Sequence, residues 1–191
     1  MHSVQFFTYT STRLWGLRVD GADLRVHAAD ATRPRWQQEG NPDERTPEAV
    51  EDFLLHQYGG LTEAELGSPG RHFLGDAAPE VRDRATGATA VLGCPCGIWE
   101  CWPLLTRITA TADTVTWSAF RQPRRPAWGD LAVGPFVFPR TDYERSLAHA
   151  VHHAEDPLTA LPPAEPPPGP DAVPGVGVPG GRVGPPGHPG R

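Results

Sequence analysis

Proline and glycine divide this chain more sharply than any other feature. Of its 23 prolines, 12 fall after Asp156, and from Leu161 to Arg191 large apolar side chains are almost absent. Such a segment cannot offset the entropy of ordering itself. Residues 156–191 are therefore expected to form a disordered Pro/Gly-rich tail of mixed polyproline and flexible character. Residues 1–155 hold enough apolar content for one core of ordinary size, which predicts a single globular domain over that range.

Charge narrows the partners of that domain. The net charge is −6 and the sequence pI about 5.7, whereas nucleic-acid readers carry a basic face that neutralises phosphates. No nucleic-acid role is expected. No apolar run approaches the length of a membrane helix, and the N-terminal MHSVQFFTYT lacks the charged and apolar regions of a secretory leader. The expected compartment is the cytoplasm, with no membrane contact. An odd number of cysteines, three, also argues against a secreted disulfide framework.

Within the domain the pattern is mixed. Val4–Tyr9 and Leu14–Val19 read as strands, with Asp20-Gly21 as a turn. Ala22–Thr32 is predicted as a short helix that Pro34 ends. Pro47–Tyr58 is the clearest helix: Thr46 can cap it, Pro47 suits its first position, and Gly59-Gly60 offer a left-handed stop. Leu61–Thr89 has little periodicity and implies a functional loop or unrecognised elements, pinned by Phe73 and Leu74. Ala88–Leu92 is a strand. Leu104–Ala112 and Thr114–Phe120 form a hairpin reversing at Asp113, and Phe136–Phe138 is a last short strand. A final helix starts at Thr141, where Thr141 and Glu144 fit a capping box. The predicted class is α+β: a small antiparallel sheet with two or three helices.

The sharpest motif is Cys94-Pro95-Cys96-Gly97 followed by Cys101-Trp102. Three thiolates can supply three of the four positions of a tetrahedral zinc site. However, the first pair is one residue closer than the usual C-x2-C, and a fourth ligand has to come from elsewhere; His72, His149, His152 and His153 are the nominal choices. Glu100 opposes a nearby thiolate, and nothing basic lies close in sequence, which weakens a redox reading. The leading expectation is that the thiols are small apolar groups packed under Trp99 and Trp102, with no cofactor.

A second motif runs from Trp117 to Trp128 and contains Arg121, Arg124 and Arg125 between prolines. Arginine beside tryptophan suits carboxylate recognition, stacking and interface hot spots. Trp117, Arg121, Arg124, Arg125 and Trp128 are the candidate binding residues for a protein partner. His149 and His153 stand four apart on the predicted last helix and resemble a chelating pair, with solvated surface residues as the simpler reading. Asp76, Glu80 and Asp83 look like a solvated face. No nucleophile elbow, P-loop or dinucleotide fingerprint is present.

The motifs at Val91–Gly97, Cys101–Leu104, Thr114–Pro123, Gly134–Phe138 and Tyr143-Glu144 resemble those of a family of small bacterial proteins of unassigned activity, encoded mainly by GC-rich actinobacteria. The resemblance spans most of the first ~150 residues and implies the same domain boundary. That family often has His or Tyr where this chain has Arg124. The function expected first is a non-enzymatic protein-interaction module. A zinc-stabilised binding module built on Cys94, Cys96 and Cys101 is the alternative, and a thiol-dependent enzyme a more remote one.

Overall fold

The computed structural model describes residues 1–39, 46–83 and 85–159; the tail predicted to be disordered lies outside them, apart from its first residues. The chain opens with a hairpin, β1 (Val4–Tyr9) and β2 (Leu14–Val19), in continuous register from Val4 opposite Val19 to Tyr9 opposite Leu14. Phe7 and Gly16 are partners in that ladder, and a Cβ on Gly16 would sit 2.7 Å from the Phe7 ring. Asp20 and Gly21 both take left-handed backbone, with φ of 51° and 86°. They turn the chain into β3 (Ala22–Asp23) as the sequence predicts.

Helix α1 (Leu24–Gln38) starts where Asp23 accepts from the Arg25 amide, and it continues through Pro34 rather than stopping there. Proline removes one bond, to the Asp30 carbonyl, at an exposed position. The turn beyond it is held by tertiary contacts instead. Arg33 pairs with Glu51, and Trp36 packs edge-on against Phe53 at 5.3 Å and donates to Gln57 Oε1 at 3.4 Å. Helix α2 (Pro47–His56) is capped by Thr46 as expected, through the Ala49 amide.

Gly59 and Gly60 do not provide a left-handed stop; neither has positive φ. They permit close approach. Gly59 and Gly93 exchange both backbone hydrogen bonds at 2.9 Å, and a Cβ on Gly60 would lie 2.4 Å from the Trp15 carbonyl oxygen. The stretch after them contains short elements that periodicity does not resolve: β4 (Leu61–Thr62), α3 (Glu63–Leu66) and α4 (Pro69–His72). Thr62 and Glu65 form a reciprocal capping box. Phe73 is buried and Leu74 packs against the core, so both pin this segment as predicted.

Strands β5 (Thr89–Leu92), β6 (Leu104–Ala110), β7 (Thr114–Arg121) and β8 (Phe136–Pro139) form an antiparallel meander. Helix α5 (Arg140–Ala148) follows at once. It begins one residue before the predicted start, so Thr141 is already helical and caps nothing; Glu144 accepts from Arg140 Nε at 2.8 Å instead. His149 ends α5, and β9 (Val151–His153) pairs parallel to β1. The predicted helical His149–His153 pair is therefore not formed.

Among the described residues the expected single antiparallel sheet is two sheets. One has the order β3-β2-β1-β9 with β4 on β2, and the other is the meander. The class is α+β, with three substantial helices and two short ones. One apolar cluster joins the sheets, and its centre is aromatic. Phe73 stacks on Trp117 at 6.1 Å and meets Phe6 at 5.0 Å. The Tyr143 hydroxyl accepts from Trp117 Nε1 and donates to the Phe73 carbonyl. Past the expected boundary at residue 155, Asp156 pairs with both terminal nitrogens of buried Arg25 at 2.7 Å, and Leu158 is buried. No helix among the described residues is long and apolar enough to cross a membrane.

Candidate metal centre and its aromatic groove

The cysteine turn connects β5 to β6. Its entry is clamped by the Gly59–Gly93 bridge, where a Cβ on Gly93 would lie 3.1 Å from the Trp99 Cα. Gly97 takes φ of 85°, which reverses the chain after Cys96. A single 3-10 turn, Trp99–Cys101, brings the third thiol back toward the first two. The Cys96 amide donates to Cys94 Sγ at 3.4 Å, and the Gly97 amide to the Cys94 carbonyl at 3.1 Å.

The three sulfurs lie within 4.8 Å of one another and all are free thiols. Cys94 is half-buried, while Cys96 and Cys101 are exposed. Cys96 and Cys101 are thus not packed beneath Trp99 and Trp102 as the sequence suggested, whereas Cys94 is partly covered. Both indoles pack against the core. Partial burial, together with a hydrogen bond to Cys96, pushes the Cys94 thiol up to about 12. The same hydrogen bond pulls Cys96 below its ordinary value, so Cys96 is the first of the two to become a thiolate.

The arginine–tryptophan segment reaches this turn, although the two are separate in sequence. Arg124 donates to the Glu100 carbonyl through Nη2 at 2.8 Å and Nε at 3.3 Å. A guanidinium therefore braces the turn at the residue preceding Cys101. Arg125 lies 5.3 Å from the ring centres of both Trp36 and Trp102 and pairs with Glu39 at 3.2 Å. Glu39 also accepts from Trp128 Nε1 at 2.6 Å.

Two of the five predicted binding residues are not surface groups. Trp117 is 0% exposed and Trp128 is 5% exposed. A bulge at Ala119, with φ of 53°, breaks the strand alternation, so that Trp117 and Phe120 both point inward while Arg121 points out. Arg121 is exposed and pairs with Asp130 at 2.5 Å. The exposed face of this segment is thus Arg121, Arg124 and, half-exposed, Arg125.

Beside the cysteine turn lies a groove of about 760 Å³, lined by Trp36, Phe53 and Trp102, by Cys94 and Pro95, and by Asp52 and His56. Trp36 and Trp102 are stacked at 5.8 Å. His56 Nδ1 is held by Asp52, at 2.9 Å from its carbonyl oxygen and 3.1 Å from Oδ1. Sequence reasoning missed this groove. Trp36 falls beyond the helix end that Pro34 predicts, and Phe53 reads as a core residue of α2.

The nominal fourth ligands lie elsewhere. His72 is buried with Nε2 on the Ala90 carbonyl at 2.7 Å, and His152 bonds Thr8 at 3.0 Å. His149 Nδ1 is on the Arg145 carbonyl, and His153 packs against Phe7. Among the described residues, the cluster of potential metal ligands around the turn consists of the three thiols alone. Comparison with known proteins found no matching family, curated protein or solved structure, so a functional reading rests on the geometry of this turn and its groove.

Proposed function

We propose that the protein is a thiolate metal-binding module, in which Cys94, Cys96 and Cys101 take a zinc ion and the turn they anchor forms one end of a binding groove. The convergence of three sulfurs to within 4.8 Å carries this reading. Zinc at ~2.3 Å from each sulfur sets them ~3.8 Å apart, so closure needs a contraction of at most about 1 Å. Soft thiolates are the donors zinc favours. The Cys96 amide already points at Cys94 Sγ, and Arg124 braces the turn at the Glu100 carbonyl. Interaction with a protein partner, through the exposed arginines or the groove, is compatible with a module of this kind.

Metal content and a thermal melt before and after chelation test the proposal. The expected result is one zinc per chain and a lowered melting temperature after chelation. At zinc a thousandfold above its Kd the linkage is worth about 4 kcal/mol. Cys96→Ser and Cys101→Ser are each expected to abolish stoichiometric binding while leaving the apo melt in place, because both thiols are exposed. In the apo protein Cys96 alkylates before Cys94, and zinc protects both. Absence of zinc uptake with an unchanged melt would end the proposal.

A further inference from the structure

Three thiolates leave a tetrahedral ion one position short, and the groove opens at one of its ligands. Cys94 both supplies a sulfur to the cluster and lines the groove with Pro95. A ligand seated against Cys94 in the groove is therefore next to one of the ion's own donors. Building on the metal reading above, we propose that the groove accepts a histidine side chain from a partner chain, whose imidazole nitrogen completes a three-sulfur, one-nitrogen shell.

Three observations select that occupant. The walls are aromatic: Trp36 stacks near Trp102 at 5.8 Å and meets Phe53 edge-on at 5.3 Å. Planar π-systems favour offset-stacked and edge-on partners, and an imidazole is planar. Charge disfavours a further anionic donor. A divalent ion on three thiolates keeps a net negative charge, and Asp52 in the groove lining and Glu100 beside Cys101 carry the same sign. A carboxylate or thiolate ligand adds to that repulsion, whereas a neutral imidazole does not, and three cysteines with one histidine is an ordinary zinc set. The groove's volume, about 760 Å³, exceeds what one imidazole needs and leaves room for the residues flanking it. His56 lines the same groove, but its side chain lies outside the thiol cluster.

Cobalt(II) in place of zinc reports the fourth ligand directly, because its visible ligand-field bands change when a water is exchanged for nitrogen. The full chain, loaded with cobalt, is titrated with N-acetylhistidinamide, N-acetylcysteinamide and N-acetylalaninamide. Saturable band shifts with the histidine compound alone are expected. Phe53→Ala should weaken that titration about five- to tenfold, the loss of one aromatic contact, with cobalt affinity unchanged. Phe53→Leu gives the same comparison if the alanine variant melts early. A cobalt spectrum insensitive to N-acetylhistidinamide, a tighter response to the thiol, or a response in the folded Phe53 variant as tight as the parent's overturns the inference and leaves the metal centre standing. Failure to take up cobalt at all removes both.

Discussion

Two clusters of aromatic side chains in this molecule use similar residues to opposite ends. Around Trp117, the rings of Phe6, Phe73, Phe138 and Tyr143 fill the space between the two sheets, and the polar atoms of Trp117 and Tyr143 are spent on each other and on the Phe73 carbonyl. Around Trp102, the rings of Trp36 and Phe53 line a groove that reaches Cys94, one of three free thiols, and Arg125 lies over Trp36 and Trp102. The first set is closed by hydrogen bonds within it. The second relies on an exposed ion pair and on the clamp between Gly59 and Gly93. An aromatic residue therefore marks a site only where the surrounding backbone leaves it a free face, and that is decided by the bulge at Ala119 and by the course of α1 beyond Pro34.

The largest expected effect separates the clusters by truncation. Trp117→Ala removes a fully buried indole and takes one of the two hydrogen bonds of the Tyr143 hydroxyl, which predicts a loss of about 3–5 kcal/mol in urea unfolding. Trp102→Ala opens onto the groove and should cost clearly less, while changing the groove itself. Equal losses would mean that Trp102 belongs to the core in energetic terms and that the groove is only a surface depression.

How far each cluster could be read from sequence follows from the same contrast. The meander, the capped helix α2 and the Asp20-Gly21 turn were legible because short-range signals decide them. The cysteine turn was legible as a motif. Its exposure was not, because that depends on which side of the turn Trp99 and Trp102 pack. The groove was illegible for a related reason. It is assembled from α1, α2 and the β5–β6 connection, and its first wall, Trp36, sits on a helical turn that local proline chemistry argues against. Trp117 and Arg121 share a face in a regular strand; one residue with positive φ separates them.

The next prediction uses acid to probe the closed side. His72 is buried, donates from Nε2 to the Ala90 carbonyl, and has no partner on Nδ1 among the described residues. Burial pushes its pKa down to about 4, with Arg82 adding to the shift. An unfolded histidine titrates near 6.5, so between these values the unfolded state binds the proton and the folded state resists it. Stability is full above about pH 6.5 and falls as the pH drops toward 4, by roughly 3 kcal/mol. His72→Gln can still donate to Ala90 and should flatten this part of the profile relative to the parent protein. Parallel profiles would show that protonation of His72 is not what weakens the fold.

The smallest effect tests what holds the open side. Arg125 is 38% exposed and lies between Glu39 and the two indoles. Exposed cation–π and ion pairs each contribute about 0.5–1 kcal/mol or less, so Arg125→Ala should cost on the order of 1 kcal/mol. Salt distinguishes the two contributions, since an exposed ion pair weakens with ionic strength while packing of the guanidinium against Trp36 and Trp102 persists. A double-mutant cycle with Glu39→Gln, which can still accept from Trp128, isolates the pair. A coupling that survives high salt undiminished would place the attraction outside the ion pair and in the tryptophan stack. Because these two rings also wall the groove, Arg125→Ala should loosen their alignment and alter tryptophan emission, even where the unfolding free energy barely moves.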